Sequence, residues 1–265
     1  MLRKGDLTQG GITGTLLHFT LPMMVGSFLQ QCYNIADTLI VGQCIGAGAL
    51  AAVGSAYTLM VFLISVLLGL AMGSGTVFSL HYGAGNHVAL RRSIFSSFVL
   101  IGIVTLILNV AVFIWLDPIL RLLQVPQDIY GMMRSYSWII FCGIVFTFIY
   151  NFYASLLRAV GDSVTPLWFL AVSVVLNIAL DLFFILQLDW GIQGAAAATV
   201  LAQGVAALGI IIYTYRRRPE LRWHHEDMCF DRTCLKEIAS FSTLTCVQQS
   251  VMNLGILMIQ GLVNS

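Results

Sequence analysis

Residues 175–186 have the sequence VLNIALDLFFIL, an apolar run that holds an amide, Asn177, and a carboxylate, Asp181. With its flanks, over residues 166–187, the run is long enough to cross a bilayer, which needs about 20 apolar residues. A carboxylate at the bilayer centre costs about 2.5 to 3.5 kcal/mol on insertion scales, so such an acid usually faces a cavity or a polar partner. The stretch therefore predicts a membrane-spanning helix with a polar face turned into the protein.

The composition of the whole chain is also that of a membrane protein. Of 265 residues, 58% are hydrophobic and only 9% are charged, against about 25% charged residues in soluble domains, and the mean hydropathy is +0.89. A net charge of +1 gives no indication of a nucleic-acid partner. The N-terminal MLRKGDLTQGG lacks the apolar core and cleavage site of a secretory signal, so we expect no removable signal peptide.

Apolar segments of similar length recur along the chain. Six are long enough to be full spans, and a seventh begins near residue 237. We predict an all-α, polytopic membrane helix bundle whose first six spans cover residues 15–41, 52–79, 94–116, 133–157, 166–187 and 194–215.

The basic residues are distributed unequally between alternate loops. One side of the membrane would hold only Arg121 and Arg134, two of the thirteen. Because Lys and Arg accumulate on the cytoplasmic side, we predict a multi-pass protein of the cytoplasmic (inner) membrane with a cytoplasmic N-terminus. The other eleven are Arg3, Lys4, Arg91, Arg92, Arg158, Arg216, Arg217, Arg218, Arg222, Arg232 and Lys236.

The seventh span reaches the last residue without a polar tail or a partner helix. Phe19-Thr20 at the start of span one are echoed by Phe241-Ser242 at the start of span seven, as in transporters built from parallel repeats. We therefore expect three parts: an N-terminal six-helix lobe over residues 1–215, a cytoplasmic inter-lobe loop over 216–236, and the truncated start of a second lobe over 237–265.

Two of the twelve acidic residues, Asp37 and Asp181, lie inside apolar runs. Asn177 and Asp181 are four residues apart and project from one face of span five. Tyr33 and Asp37 have the same spacing on span one, with Gln30 one turn before them. Neither span contains a Lys or Arg to pair with its acid, so we expect both carboxylates to face one polar interior.

Span six adds a hydroxyl and an amide, Thr199 and Gln203, after the small run GAAAAT that would let a neighbouring helix approach closely. Hydroxyl, amide and carboxylate oxygens suit a hard cation such as sodium, and the carboxylates also suit a bound proton. The alternative for either residue of span six is a plain hydrogen bond to a neighbouring helix. We predict a site for a sodium ion or a proton and no other cofactor.

The cysteine and histidine pattern argues against a structural metal site. Six cysteines are scattered, mostly in apolar segments, and imply no disulfide framework. The segment HHEDMCFDRTC, residues 224–234, has its two cysteines four residues apart with no matching pair, so we expect a solvated loop there rather than a zinc site.

Pro22 lies in the first half of span one, in LHFTLPMMVG. A proline inside a helix removes one backbone hydrogen bond, so we predict a kink in span one at this position.

The chain resembles the multidrug and toxin extrusion (MATE) transporters, in particular their DinF-like prokaryotic branch, and the resemblance covers essentially the whole sequence. The matching segments are FTLP at 19–22, ADTLIVGQCIGAGALAAVG at 36–54, GSGTVFSLHYGAGN at 73–86, LLRAVGDSVTP at 156–166 and NIALD at 177–181.

The resemblance implies twelve helices in two six-helix lobes and export of cationic or amphipathic compounds by alternating access, driven by sodium or proton movement. It also implies a first-lobe cation site built from Asp37, Asn177, Asp181 and Thr199. Candidates for contact with substrate, or for support of those ligands, are Gln30, Tyr33, Asn151 and Gln203.

The function expected from the sequence is therefore cation-coupled (sodium or proton) multidrug antiport, with membrane lipid and small cationic or amphipathic substrates as partners. A missing C-terminal lobe would be needed for a complete transporter. One alternative is a lipid-linked oligosaccharide flippase of a related fold, although such proteins need basic residues in their cavity. Another is a non-transporting membrane fragment. We expect no enzyme activity, because the sequence shows neither a nucleophile–base set nor a metal cluster.

Overall fold

The computed structural model describes residues 12–122, 125–223, 227 and 232–263. This part of the chain is helical almost throughout. A π-helical turn, Phe183–Gln187, extends the sixth helix, and a short 3-10 turn, Pro219–Leu221, follows the seventh. The α-helices are α1 (Ile12–Cys44), α2 (Ala47–Gly83), α3 (His87–Leu122), α4 (Gln127–Cys142), α5 (Ile144–Ala159), α6 (Val164–Leu182), α7 (Gly191–Arg217) and α8 (Arg232–Val263).

The helices coincide with the predicted spans, which confirms the all-helical membrane bundle. By length and hydropathy, α2, α3, α7 and α6 with its π-helical turn can each cross a membrane, and α4 with α5 makes a fifth span bent by 45°. The remaining two, α1 and α8, do not meet this criterion. Polar side chains such as Gln31 and Asn34 interrupt α1, so the spans predicted for α1 and α8 stay predictions.

The bend in the fourth predicted span, residues 133–157, was not foreseen from the sequence. It lies at Gly143, where an added Cβ would come within 2.5 Å of the Val200 side chain on α7. Next to the bend, the carbonyl of Phe141 accepts a hydrogen bond of 2.8 Å from the Asn109 amide on α3. A glycine that permits close packing and an amide that bonds to a carbonyl beside it together stabilise the bend.

The centre of the bundle is α2, which packs against α3, α4, α5 and α8. On the far side, α7 packs against α4, α5 and α6, and α1 lies mainly along α6. A group of aromatic rings fills the space between α2, α3 and α5, with Phe98 in contact with Phe148, Phe152 and Tyr153, and Phe78 with Phe152. These apolar contacts hold the helices that carry the polar residues.

The eighth helix packs closely along α2. Gly69 and Gly73 are four residues apart on α2, and an added Cβ on either would meet the backbone of α8, at Cys246 and Ser242 respectively. The Ser242 hydroxyl also donates to the Leu70 carbonyl over 3.3 Å. Small residues at this spacing let membrane helices approach closely, so α8 has a packing partner among the first six predicted spans.

Ion pairs link the connectors at each end of the bundle. Of the arginine–carboxylate pairs that join different helices or connectors among the described residues, two lie at the end where α2, α5 and α7 finish, and one lies at the opposite end. The distribution agrees with the loop grouping used for the predicted orientation. The pairs are Arg91 with Asp227 (2.6 Å), Arg218 with Asp162 (3.3 Å) and, at the opposite end, Arg134 with Asp117 (2.8 Å).

The predicted inter-lobe loop, residues 216–236, is bordered by helix on both sides. The seventh helix continues to Arg217 and α8 begins at Arg232. Residues 224–226 and 228–231, which include most of the segment HHEDMCFDRTC, lie outside the described residues, and so does the N-terminal MLRKGDLTQGG.

Candidate functional site

The two intramembrane acids meet in the structure. Asp37 on α1 and Asp181 on α6 lie close enough for their carboxylates to interact, and their exposed fractions are 9% and 0%. The sequence predicted that both would face one polar interior, and the packing of α1 along α6 places them there. We refer to Asp37 and Asp181 as the acid pair.

An amide and two hydroxyls surround the acid pair. With its amide nitrogen facing the carboxylate, Asn177 donates to Asp181 Oδ2 over 3.0 Å and accepts from Thr199 Oγ1 at 3.3 Å. The Tyr33 hydroxyl donates to Thr199 Oγ1 over 3.3 Å. Side chains of α1, α6 and α7 thus form one network, which brings Tyr33 together with the four residues of the predicted cation site.

Each acid of the pair keeps one oxygen without a hydrogen bond. Among the described residues, Asp37 Oδ1 and Asp181 Oδ1 are buried and have no donor. No described Lys or Arg is paired with either acid, since the basic residues in ion pairs lie near the helix ends. A buried, unsatisfied carboxylate oxygen is costly, so these two oxygens are suited to bind a cation or share a proton.

The sequence of α7 explains how Thr199 reaches α6. The run GAAAAT begins at Gly194, where an added Cβ would come within 3.0 Å of the Phe184 side chain in the π-helical turn. The Trp190 ring stacks on Phe184 with a centroid distance of 5.1 Å, which fixes the connection between the helices. Small residues at this crossing bring the two backbones close enough for Thr199 to contact Asn177.

The π-helical turn follows directly after Asp181, from Phe183 to Gln187. Such turns interrupt an α-helix at some cost and are frequently found at functional sites. Here the turn marks the end of α6 at which the acid pair lies, about one helical turn from the Asp181 carboxylate.

Tyr136 on α4 is a site residue that the sequence analysis missed. It is buried, and its hydroxyl lies within electrostatic range of Asp37, Asp181 and Tyr33. The position of Tyr136 in the sequence indicates such a role only weakly, because a tyrosine close to the end of a span is usually an interfacial residue. Its position shows that α4 also contributes to the surroundings of the acid pair.

Two other predicted residues, Gln203 and Asn151, belong to a different cluster. Gln203 Oε1 accepts a hydrogen bond of 2.5 Å from Thr147 Oγ1 on α5. Asn151 donates to the Thr147 carbonyl over 2.8 Å. Neither hydrogen-bonds to the acid pair in the described part of the chain, so the structure separates both residues from the acid pair.

Gln30 and Pro22 lie apart from both clusters. Gln30 is exposed on α1 and has no hydrogen bond among the described residues. The first helix continues through Pro22 as one α-helix from Ile12 to Cys44, so the kink predicted at Pro22 stays a prediction. Within the residues that the structure describes, no group of three or more His, Cys, Asp or Glu side chains is arranged to hold a metal ion.

Comparison with known proteins supports a single family. A sequence model of the MatE family matches residues 22–183. The chain is 36% identical over 217 residues to the probable multidrug resistance protein YpnP of Bacillus subtilis, a match that covers 82% of this chain and 49% of YpnP. It is 31% identical over 210 residues to the multidrug export protein MepA of Staphylococcus saprophyticus, covering 76% of this chain and 45% of MepA.

Solved structures show the same fold. A multidrug resistance MATE family transporter in an outward-facing conformation matches 97% of this chain and 57% of its own, with a TM-score of 0.90 and 25% identity. A MATE structure in the straight conformation matches equally large shares of both chains with a TM-score of 0.88 and 25% identity. The chain spans about half the length of the curated relatives it matches. Because the family model covers more than half of the sequence, the chain belongs to the MatE family.

Proposed function

We propose that this chain forms the N-terminal lobe of a cation-coupled exporter of cationic or amphipathic drugs and toxins, in the DinF-like branch of the family. The observation that carries the proposal is the acid pair, two buried carboxylates that each keep an unsatisfied oxygen. In the proposed cycle, inward movement of a sodium ion or a proton through the acid pair drives outward movement of substrate.

The chemistry of the acid pair explains why a cation would bind there. Two adjacent carboxylates in a water-poor interior repel each other if both are charged, and a cation between them relieves that repulsion. A proton would be shared by the two carboxylates. A sodium ion would take oxygens of both acids, and a rotation of the Asn177 amide, whose nitrogen faces Asp181 in the network, would add its carbonyl oxygen to the shell beside the Thr199 hydroxyl.

Coupling to export requires that the cation bind the two access states with different affinity. The residues of the network belong to three helices, α1, α6 and α7. A change in the relative position of these helices therefore changes the distances between the cation ligands. This gives the cation the differential affinity that alternating access needs.

Substrate and partners follow from the relatives. YpnP and MepA are named for multidrug resistance and export, and we carry that substrate class over to this chain. The parts proposed are a lobe over residues 1–215, a loop over 216–236 and the start of a second lobe from 237, with a further lobe as the necessary partner. From the basic loops we further propose a cytoplasmic N-terminus and a location in the cytoplasmic membrane.

The alternative function, a lipid-linked oligosaccharide flippase, is not favoured by the residues around the acid pair. A pyrophosphate-linked substrate needs cationic side chains in the cavity, and the described Lys and Arg residues make no contact with the acid pair. Transport, rather than enzyme activity, also fits a family that contains multidrug transporters.

The test is efflux of a fluorescent cationic dye from vesicles that contain the continuous gene product, under an imposed sodium gradient or an imposed pH gradient. We expect efflux to follow one gradient and to be lost in Asp181→Asn at equal protein level. Asp128→Asn is the matched control, because Asp128 is exposed in the first turn of α4 and makes no hydrogen bond among the described residues. Normal efflux in Asp181→Asn would contradict the proposal, and so would the absence of efflux under both gradients.

A further inference from the structure

A small cavity lies beside the bend between α4 and α5. Its volume of about 20 Å³ for a water-sized molecule exceeds the roughly 10–15 Å³ that one water needs. Four helices enclose it, and two of its lining residues are polar. The lining residues are Met60, Ile64, Ile140, Phe141, Ile144, Thr147, Val200 and Gln203.

The polar groups at this cavity have unused hydrogen-bonding capacity. Thr147 Oγ1 donates to Gln203 Oε1 over 2.5 Å, which leaves the Gln203 amide nitrogen without an acceptor among the described residues. A site that holds a water needs two or more polar partners. The Gln203 amide nitrogen and the Thr147 hydroxyl oxygen supply a donor and an acceptor.

Two helices independently place the cavity one turn from the acid pair. On α7, Thr199 of the acid-pair network precedes Gln203 by four residues, which is about 6 Å along the helix. On α4, Tyr136 precedes Ile140 of the cavity lining by the same interval. Both steps lead towards the end of the bundle at which α7 finishes. The last turn of α7 contains Arg216 and Arg217, so we call this end of the bundle the basic end.

Polar side chains continue from the cavity towards the basic end along one face of α5. Thr147, Asn151 and Ser155 are spaced by four residues, so they lie one above another. Asn151 donates to the Thr147 carbonyl over 2.8 Å, and the Ser155 hydroxyl donates to the Ala71 carbonyl on α2 over 2.8 Å. We call Gln203, Thr147, Asn151 and Ser155 the polar file.

Resting on the proposed function, we propose that the polar file is the route by which the coupling cation leaves the acid pair towards the basic end, with a water in the cavity as its first step. From Thr199 to the end of α7 at Arg217 a cation must travel about 27 Å of helix. In an apolar interior that passage is prohibitive without polar groups or water to replace the hydration shell. The polar file supplies hydroxyl and amide groups over the first part of this distance.

The proposal is tested in the same vesicle assay with variants that remove polarity but keep shape. We expect Thr147→Val and Gln203→Leu to lower the maximal rate of gradient-driven efflux about five- to tenfold, as for loss of one hydrogen-bonding group from a rate-limiting step, with the half-saturating dye concentration unchanged. Thr147→Ser, which keeps the hydroxyl, should restore the rate. Thr105→Val is the control, because among the described residues the buried Thr105 hydroxyl bonds only to the Ile101 carbonyl of its own helix.

The outcomes separate this proposal from the proposed function. If Asp181→Asn abolishes efflux while Thr147→Val and Gln203→Leu behave like Thr105→Val, the exit route is wrong and the cation site stands. If the wild type shows no gradient-driven efflux, both fail.

A second measurement does not depend on transport. In a cysteine-free background, Gln203→Cys should react with a small cationic thiol reagent added at the basic end faster than Thr105→Cys does. Equal reaction rates would overturn the proposal.

Discussion

Replacement of Gly73 by alanine should weaken the attachment of α8 to α2. An added Cβ at Gly73 would lie 2.6 Å from the Ser242 backbone nitrogen, roughly 0.8 Å short of the 3.4 Å at which ordinary contact begins. The obstructing atoms belong to the backbone of α8, so a side-chain rotation cannot relieve the contact and the helix itself must move. Overpacking of this kind costs about 1 to 3 kcal/mol.

Movement of α8 would also lengthen the hydrogen bond from Ser242 to the Leu70 carbonyl, now 3.3 Å. Interhelical hydrogen bonds in membranes average about 0.6 kcal/mol. We therefore expect Gly73→Ala to lower the free energy of unfolding by about 2 to 3 kcal/mol. The measurement is a titration of the purified chain with a denaturing detergent, followed by circular dichroism.

The matched control is Gly54→Ala on the same helix, where an added Cβ would meet nothing within 4 Å. Both substitutions gain the same helix propensity, so the difference between them reports the contact with α8. In Gly73→Ala the thiol of Cys246, which bonds to a carbonyl of α2, should also react faster with a maleimide dye. If the two variants unfold at the same detergent concentration and Cys246 reacts equally in both, the α2–α8 packing derived from the structure is wrong.

Three further predictions concern the bend and the acid pair. Gly143→Ala should lower the free energy of unfolding by about 1 to 3 kcal/mol, because its Cβ would meet Val200. Gly131→Ala on α4 is the control and should leave the free energy of unfolding unchanged, because its Cβ would meet nothing within 4 Å. The same detergent titration measures both variants. Asn109→Leu should lower the free energy of unfolding by about 1 to 3 kcal/mol, because it removes the side-chain donor to the buried carbonyl of Phe141 beside the bend; an unchanged titration midpoint would contradict this. Asn177→Leu should abolish sodium-dependent or proton-dependent dye efflux at normal protein level, and full efflux would exclude the amide from the cation site.

The membership of the acid pair followed from simple features of the sequence. Asp37 and Asp181 are the two acids inside apolar runs, and spacing of four residues placed Tyr33 and Asn177 on the same faces. Because an unpaired charge in a membrane must face the interior, the meeting of the two acids was predictable. The small run before Thr199 likewise predicted the close approach of a neighbouring helix, which is α6 in the structure.

Other features depend on which neighbour a helix face meets, which helical spacing does not specify. Thr199 and Gln203 lie on one face of α7, yet the first contacts α1 and α6 while the second contacts α5. The bend at Gly143 could not be predicted from the sequence, because the apolar run continues through this residue without interruption.

The arrangement of α1 connects the acid pair to movement of a helix. One side of α1 is apolar and exposed, including Leu21 and Phe28, and its inner side packs along α6, with Gly26 beside Leu167. These apolar contacts are insensitive to charge. The contacts through Asp37 are not, since two adjacent carboxylates attract each other only when a proton or a metal cation lies between them. In the proposed cycle, binding and release of the coupling cation would therefore act at the junction of α1 with α6, and Asp181→Asn would remove the ionisable group of one partner at this junction. Loss of efflux in Asp181→Asn would then have two causes. The variant would no longer bind the coupling cation, and the contact between α1 and α6 would no longer depend on the charge of residue 181.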